Sequence, residues 1–400
     1  MPLPPRYPPR YPLLDAWRGL ACVAVVLHHA GYIYPPGHAR SGPGVSMARR
    51  LVGEFYQRMD LGVPLFFVIS GYCIAASMDA HRNRRASSWR FLGRRIWRIY
   101  PPYWVAVACF AVVVASLRWA GWQPIINGSH SLHLDSPGEL SWPEWLGNLT
   151  LTETWRPRIL GGGPYRNLTR ISWTLCFEEQ FYLVGFLLLL LFPRRLFGAL
   201  LGATGAIFAW SAIAHDAGWF YKLEGTFPKH WHEFAVGLAV YWRLAVADSQ
   251  PGRRAVDLTL TALAALGLYR GNTVMAVVGI FGLVLIGLRP FDSTLTGWRI
   301  LAPFRACGRR CYSIYLIHLP VCTVGTEALV QLGYDGFWIK GLAVAPLVAL
   351  AGVGTGWVFF AVVESKFHNP APSRLQSPGE PRAVPEPDPS APRLDPLRIA

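Results

Sequence analysis

The chain has 400 residues, 52% of them hydrophobic and only 15% charged, where a soluble domain carries about a quarter charged. Its mean hydropathy of +0.28 and several apolar windows of roughly 20 residues exclude a soluble globular protein. They point instead to an all-α, polytopic membrane protein. The formal charge of +15 does not argue for nucleic acid, because the arginines sit in short loops between apolar stretches, as topology-setting cytoplasmic loops do.

Apolar windows place ten helices at about 14–33, 60–78, 96–117, 172–192, 196–214, 230–247, 256–270, 272–288, 311–331 and 339–362. Arg270-Gly271-Asn272 leaves only a very tight turn between the seventh and eighth. With a cytoplasmic N-terminus, about 23 Lys/Arg fall inside against about 13 outside. That bias supports an N-in, C-in arrangement, and the run His81 to Arg95 is its strongest element. The domain reading is a cytoplasmic tail over 1–12, a membrane domain over 13–365, and a disordered Pro-rich cytoplasmic tail over 366–400. Arginine far outnumbers lysine, as in GC-rich bacterial genomes, so the membrane expected is the bacterial inner membrane.

Seven cysteines, an odd number lying mostly inside apolar runs, make no disulfide framework. Cys307 and Cys311 flank Gly308-Arg309-Arg310 with no histidine at ligand spacing, so no metal site is expected. The first segment lacks a small-residue cleavage site and does not read as a signal peptide. The longest outer loop, about 118–171, carries Trp122, Trp142, Trp145 and Trp155, read as an interfacial belt in preference to a sugar-stacking surface. It also holds Asn-x-Ser/Thr sequons at Asn127, Asn148 and Asn167.

Polar islands inside the apolar segments mark the candidate site. Arg18 and His29 lie eleven residues apart in the first segment, which leaves them about 20° apart in azimuth and ~16 Å apart along one helical face. Snorkelling to headgroups accounts for Arg18 alone and leaves His29, deep in the segment, unexplained. His28 points about 80° off that face. Ser70-Gly71 interrupts a Phe-rich run, where packing is the simpler explanation. Arg95 and Arg98 are i, i+3 neighbours at the start of the third helix, a fork suited to phosphate oxygens. Glu178 and Glu179 point about 100° apart. Glu178, with Tyr182 one turn below, is read as the inward one and as level with His29, close enough to orient the imidazole. His318, before Pro320 in the ninth helix, reads first as a packing histidine and second as a site residue.

These pieces, in this order, resemble the acyltransferase 3 family of integral-membrane acyltransferases, which modify envelope polysaccharides, lipid-linked glycans and some antibiotics. The matching residues are Leu14 to Ala21 with His29, Phe66 to Gly71, Arg95 to Pro101, Trp173 to Tyr182, and Tyr312 to Pro320. The resemblance covers about residues 10–365. It implies a ten-helix fold, acyl-CoA (acetyl-CoA first) as co-substrate with no bound cofactor, and O-acylation of a glycan or other hydroxyl acceptor on the far side. It carries the catalytic role to His29 and the Arg-x-x-Arg pattern to Arg95 and Arg98, and it matches the helix-four glutamate to Glu178. His28 doubles the histidine, and Cys176 stands where a small hydroxyl residue is common.

On this reading Arg95, Arg98 and Arg18 take the CoA phosphates, and His29 is the general base oriented by Glu178. Ser70 is a candidate oxyanion donor. The alternative is a transporter or flippase using the same His, Glu and Arg as a membrane path, which repeat symmetry and broken helices would favour. Neither is evident in the sequence.

Overall fold

The computed structural model describes residues 11–31, 45–122, 136–161, 166–216 and 224–367. Asn127, the segment 162–165, the first ten residues and the tail from 368 lie outside them.

Each of the ten expected stretches is helical over most of its described residues. In chain order the helices are α1 (Leu13–Ala30), α2 (Met47–Arg58), α3 (Gly62–Asn83), α4 (Ser88–Trp119), α5 (Trp142–Thr150), α6 (Arg156–Leu160), α7 (Trp173–Leu191) and α8 (Leu196–Asp216). They continue with α9 (Trp231–Tyr241), α10 (Gln250–Tyr269), α11 (Thr273–Leu288), α12 (Asp292–Gly297), α13 (Ala302–Arg309), α14 (Cys311–Gln331) and α15 (Ala345–Val362). Among the described residues eight helical segments are long and apolar enough to cross a bilayer. The chain is thus an all-α, multi-pass integral-membrane protein. The tight turn before α11 forms because Asn272 accepts the Met275 amide at 3.0 Å through its side chain, an N-cap that starts the next helix at once.

Several elements were not anticipated. A single 3-10 turn joins α2 to α3, so one rod runs over Met47–Asn83. The arginine-rich stretch before α4 is part of α4, which starts at Ser88 rather than near 96. Between α4 and α7, α5 and α6 form a strap seated against the middle of α4. There Tyr103 donates to the Asn148 carbonyl (2.7 Å), Trp104 to that of Leu149 (2.9 Å) and Tyr100 to that of Thr150 (3.1 Å). Asn148 locks the strap from within. Its amide donates to the Glu144 and Arg166 carbonyls and its oxygen accepts the Leu168 amide. Asn148 and Asn167 are 1% and 3% exposed, so neither sequon presents its side chain to solvent.

After the strap, α7 begins against the second turn of α14. Thr174, in its first turn, hydrogen-bonds Tyr315 at 2.7 Å, and Tyr315 lies in the second turn of α14. The N-terminus of α1 is likewise held from a distance. Its first amide, Leu13 N–H, donates to Asp292 (2.8 Å), which pairs with buried Arg289 at 2.6 Å. The positive end of the helix thus meets a carboxylate.

Two backbone-to-backbone approaches hold the site helices together. A Cβ on Gly71 of α3 would fall 2.1 Å from the Phe234 carbonyl oxygen, and one on Gly237 of α9 would fall 1.9 Å from that of Val68. Across the bundle, Gly19 of α1 and Gly308 of α13 meet the Phe304 and Asp15 carbonyls at 1.8 and 1.7 Å by the same measure. In an apolar solvent such packing, not hydrophobic burial, drives association. Gly237→Ala is predicted to lower stability by about 1–3 kcal/mol through overpacking, read as a fall in the thermal midpoint of the detergent-solubilised protein. Gly198→Ala, which has open space around it, should leave the midpoint unchanged.

Candidate active site

Two polar layers lie along α1. The first surrounds Arg18, whose guanidinium donates to Asp15 (3.3 Å) and to the Cys73 sulfur of α3 (2.9 Å). Arg18 therefore turns into the bundle, where snorkelling would have taken it out to headgroups. Ser70, one turn from Cys73, donates to Glu178 Oε1 at 3.3 Å, and the Tyr182 hydroxyl donates to the same oxygen at 2.5 Å. The Arg95 guanidinium stacks over the Tyr182 and Phe91 rings, 5.0 and 5.7 Å from their centroids. Arg98 is exposed, with no hydrogen-bond partner among the described residues. Arg18 and Arg95 thus reach one network from two helices, Arg18 through Cys73 one turn from Ser70 and Arg95 over the Tyr182 ring, with Arg98 three residues further along α4.

The second layer lies ~16 Å further along α1. His29 Nδ1 is 3.0 Å from Nε2 of His318 on α14, with the ring centroids 5.0 Å apart. His318 is fully buried, and its Nδ1 sits 3.0 Å from the Ile314 carbonyl and 2.8 Å from that of Tyr315. His28 turns to the Tyr56 carbonyl at the end of α2 (3.1 Å), as its azimuth required.

The expected pairing of His29 with Glu178 is not what the structure has. Glu178 belongs to the arginine layer, tied to Ser70 one turn from the cysteine that holds Arg18, and His29 is paired with His318. Counting residues from the start of α7 misplaces Glu178, because α7 begins beside the second turn of α14. The two glutamates do diverge as their spacing requires, since Glu179 accepts from Tyr100 of α4.

Other polar groups escaped the sequence reading. His230 and His232 flank Glu233 of α9, at 3.1 and 3.4 Å, with the carboxylate 2% exposed. Two histidines and a glutamate within four residues at the head of an apolar stretch were a legible signal. In the strap, burial raises the Glu153 carboxyl above its ordinary range, opposed by Arg156 at 3.1 Å. Among the described residues no cluster of His, Cys, Asp and Glu is arranged to hold a metal ion.

Two polar layers threaded by one transmembrane helix, arginines at one end and an imidazole at the other, fit group transfer from an anionic donor. The sequence profile of the acyltransferase domain that defines the acyltransferase 3 family matches residues 11–361. The chain belongs to the acyltransferase 3 family. It is similar to BcsY of Komagataeibacter xylinus, at 28% identity over 85% of this chain and 78% of that one. It is also similar to the peptidoglycan O-acetyltransferase OatA of Listeria monocytogenes, at 24% identity over 91% of this chain and 58% of that one. The O-acetyltransferase OatA of Staphylococcus aureus matches at 24% over 81% and 53%. The chain thus spans little more than half the length of either OatA protein. No solved structure matches. Membership makes this chain an acyltransferase and argues against the transporter reading.

Removing the Asn148 side chain leaves the Leu168 amide and the Arg166 carbonyl without their partner, at a cost of roughly 1–3 kcal/mol. Asn148→Ala is therefore predicted to loosen the strap before it unfolds the bundle. Limited proteolysis of the detergent-solubilised protein should show faster cleavage within 136–161, with the helices outside the strap still protected.

Proposed function

We propose that this protein carries an acyl group, acetyl as the simplest case, from acyl-CoA at its arginine layer to a hydroxyl of a glycan at its histidine layer. The observation that carries the reading is the placement of Arg18 and His29 on one face of α1, each joined to partners on other helices. The basic loops support placing the arginine end in the cytoplasm, with N-in, C-in topology and ten crossings of a bacterial inner membrane. The O-acetyltransferase activity for which the OatA relatives are named supports acetyl as the group, and the peptidoglycan in the name of the Listeria protein supports a cell-wall glycan as the acceptor.

Arg98, Arg95 and Arg18 meet the phosphates of CoA, for which planar, permanently charged guanidinium forks are suited. The pantetheine arm then runs along α1, whose ~16 Å between Arg18 and His29 it can span when extended. Ser70, Glu178 and Tyr182 border the entry to that path and fix the face on which Arg95 stacks. At the far end His29 Nε2 takes the proton of the acceptor hydroxyl as its oxygen attacks the thioester carbonyl. The tetrahedral centre collapses with loss of the C–S bond, and the leaving sulfur takes the proton back from the imidazolium. An ester and free CoA result.

Two variants separate the roles. His29→Ala should remove acyl transfer while the protein still inserts and elutes as the wild type, measured as CoA released when purified protein is given acetyl-CoA together with a peptidoglycan-derived oligosaccharide as acceptor. Undiminished release would refute the assignment. Arg98→Ala should raise KM for acetyl-CoA about tenfold, the loss of one charge-assisted contact, with kcat retained. A change confined to the acceptor would contradict the phosphate role.

A further inference from the structure

One partner of His29 is a second imidazole, and the surroundings of that imidazole dictate where its proton lies. His318 Nδ1 faces two backbone carbonyl oxygens, those of Ile314 and Tyr315, at 3.0 and 2.8 Å. A lone pair aimed at two carbonyl lone pairs would be repelled, so Nδ1 carries the hydrogen. A neutral imidazole has one N–H, so His318 Nε2 is an acceptor. The group 3.0 Å away, His29 Nδ1, must then be the donor. That places the remaining lone pair of His29 on Nε2, the atom a general base needs.

We propose that His318 is a positioning residue that locks His29 in the Nδ1–H tautomer and takes the place a carboxylate occupies in a catalytic triad. The inference rests on His29 being the base. The device suits its location. A carboxylate fully buried in the bundle would need several further donors to offset its desolvation, whereas imidazole enters neutral and is satisfied by the backbone of its own helix. When His29 takes the acceptor's proton, its Nδ1–H···Nε2 bond to His318 becomes charge-assisted and strengthens, so the contact favours the charged state over the resting one. A Cβ on Gly352 of α15 would fall 3.4 Å from the His318 Cβ and 3.6 Å from its Cα, so α15 packs directly against the helix that carries His318.

The test compares His318→Gln, His318→Asn and His318→Leu in purified, correctly eluting protein, with acceptor-dependent CoA release from acetyl-CoA in the presence of a peptidoglycan-derived oligosaccharide as the readout. The glutamine amide oxygen reaches the position of Nε2 and can accept from His29. Asparagine reaches only the position of Nδ1, and leucine accepts nothing. His318→Gln is expected to keep kcat within about fivefold, while His318→Leu and His318→Asn lose about 100-fold or more, as for loss of a base-orienting group. KM for acetyl-CoA should stay within about twofold in all three, because the arginine layer is untouched. Should leucine prevent folding, Gln against Asn carries the test. Equal kcat in Gln and Asn, or full kcat in Leu, overturns the proposal. His29→Ala in parallel keeps the two ideas apart: an active His29→Ala would refute the base itself, and an inactive one beside an active His318→Leu would refute only the positioning role.

Discussion

A polar group inside an apolar bundle has no water to fall back on, so it must find its partner in the protein. That constraint shapes this molecule more than any other. His318 is satisfied by two carbonyls of its own helix and by His29, Asp292 caps α1 from nearly three hundred residues away, and Asn148 bonds three backbone groups of the strap. The candidate site is a special case of the same rule. Each of its charged groups is met by a side chain on another helix, apart from Arg98, which stands exposed among the arginines at the basic end.

The helices were legible because an apolar stretch of about 20 residues has few alternatives to spanning a bilayer. The facing of Arg18 and His29 was legible too, because helical azimuth is arithmetic. His28 pointing elsewhere and the two glutamates diverging followed from the same arithmetic. Depth was not legible. The spacing within α7 puts Glu178 beside Tyr182, but the level at which α7 starts follows from tertiary contacts, with the strap before it held by Tyr100, Tyr103 and Trp104 of α4. Those contacts join residues some 45 positions apart, and no periodicity encodes them. The pairing of His29 with His318, 289 residues away, was beyond reach for the same reason. The residue types were noticed, but the contact was not.

On the proposed function, the two layers divide the labour that one small pocket would otherwise perform. An anionic donor needs permanent positive charge, which is costly deep in a membrane and cheap near its basic end. Proton transfer needs a group that is neutral at rest, which imidazole supplies without a buried ion. Placing the arginines and the imidazole at different depths of α1 satisfies both demands. It also gives the reaction a direction, from the loop-rich basic end toward the opposite one.

That directionality is the central claim, and sided vesicles test it most directly. Proteoliposomes would receive labelled acetyl-CoA outside and a soluble peptidoglycan-derived oligosaccharide inside. The account predicts label on the enclosed glycan, with none in vesicles bearing His29→Ala. Label appearing only when donor and acceptor share one compartment would contradict a path across the membrane.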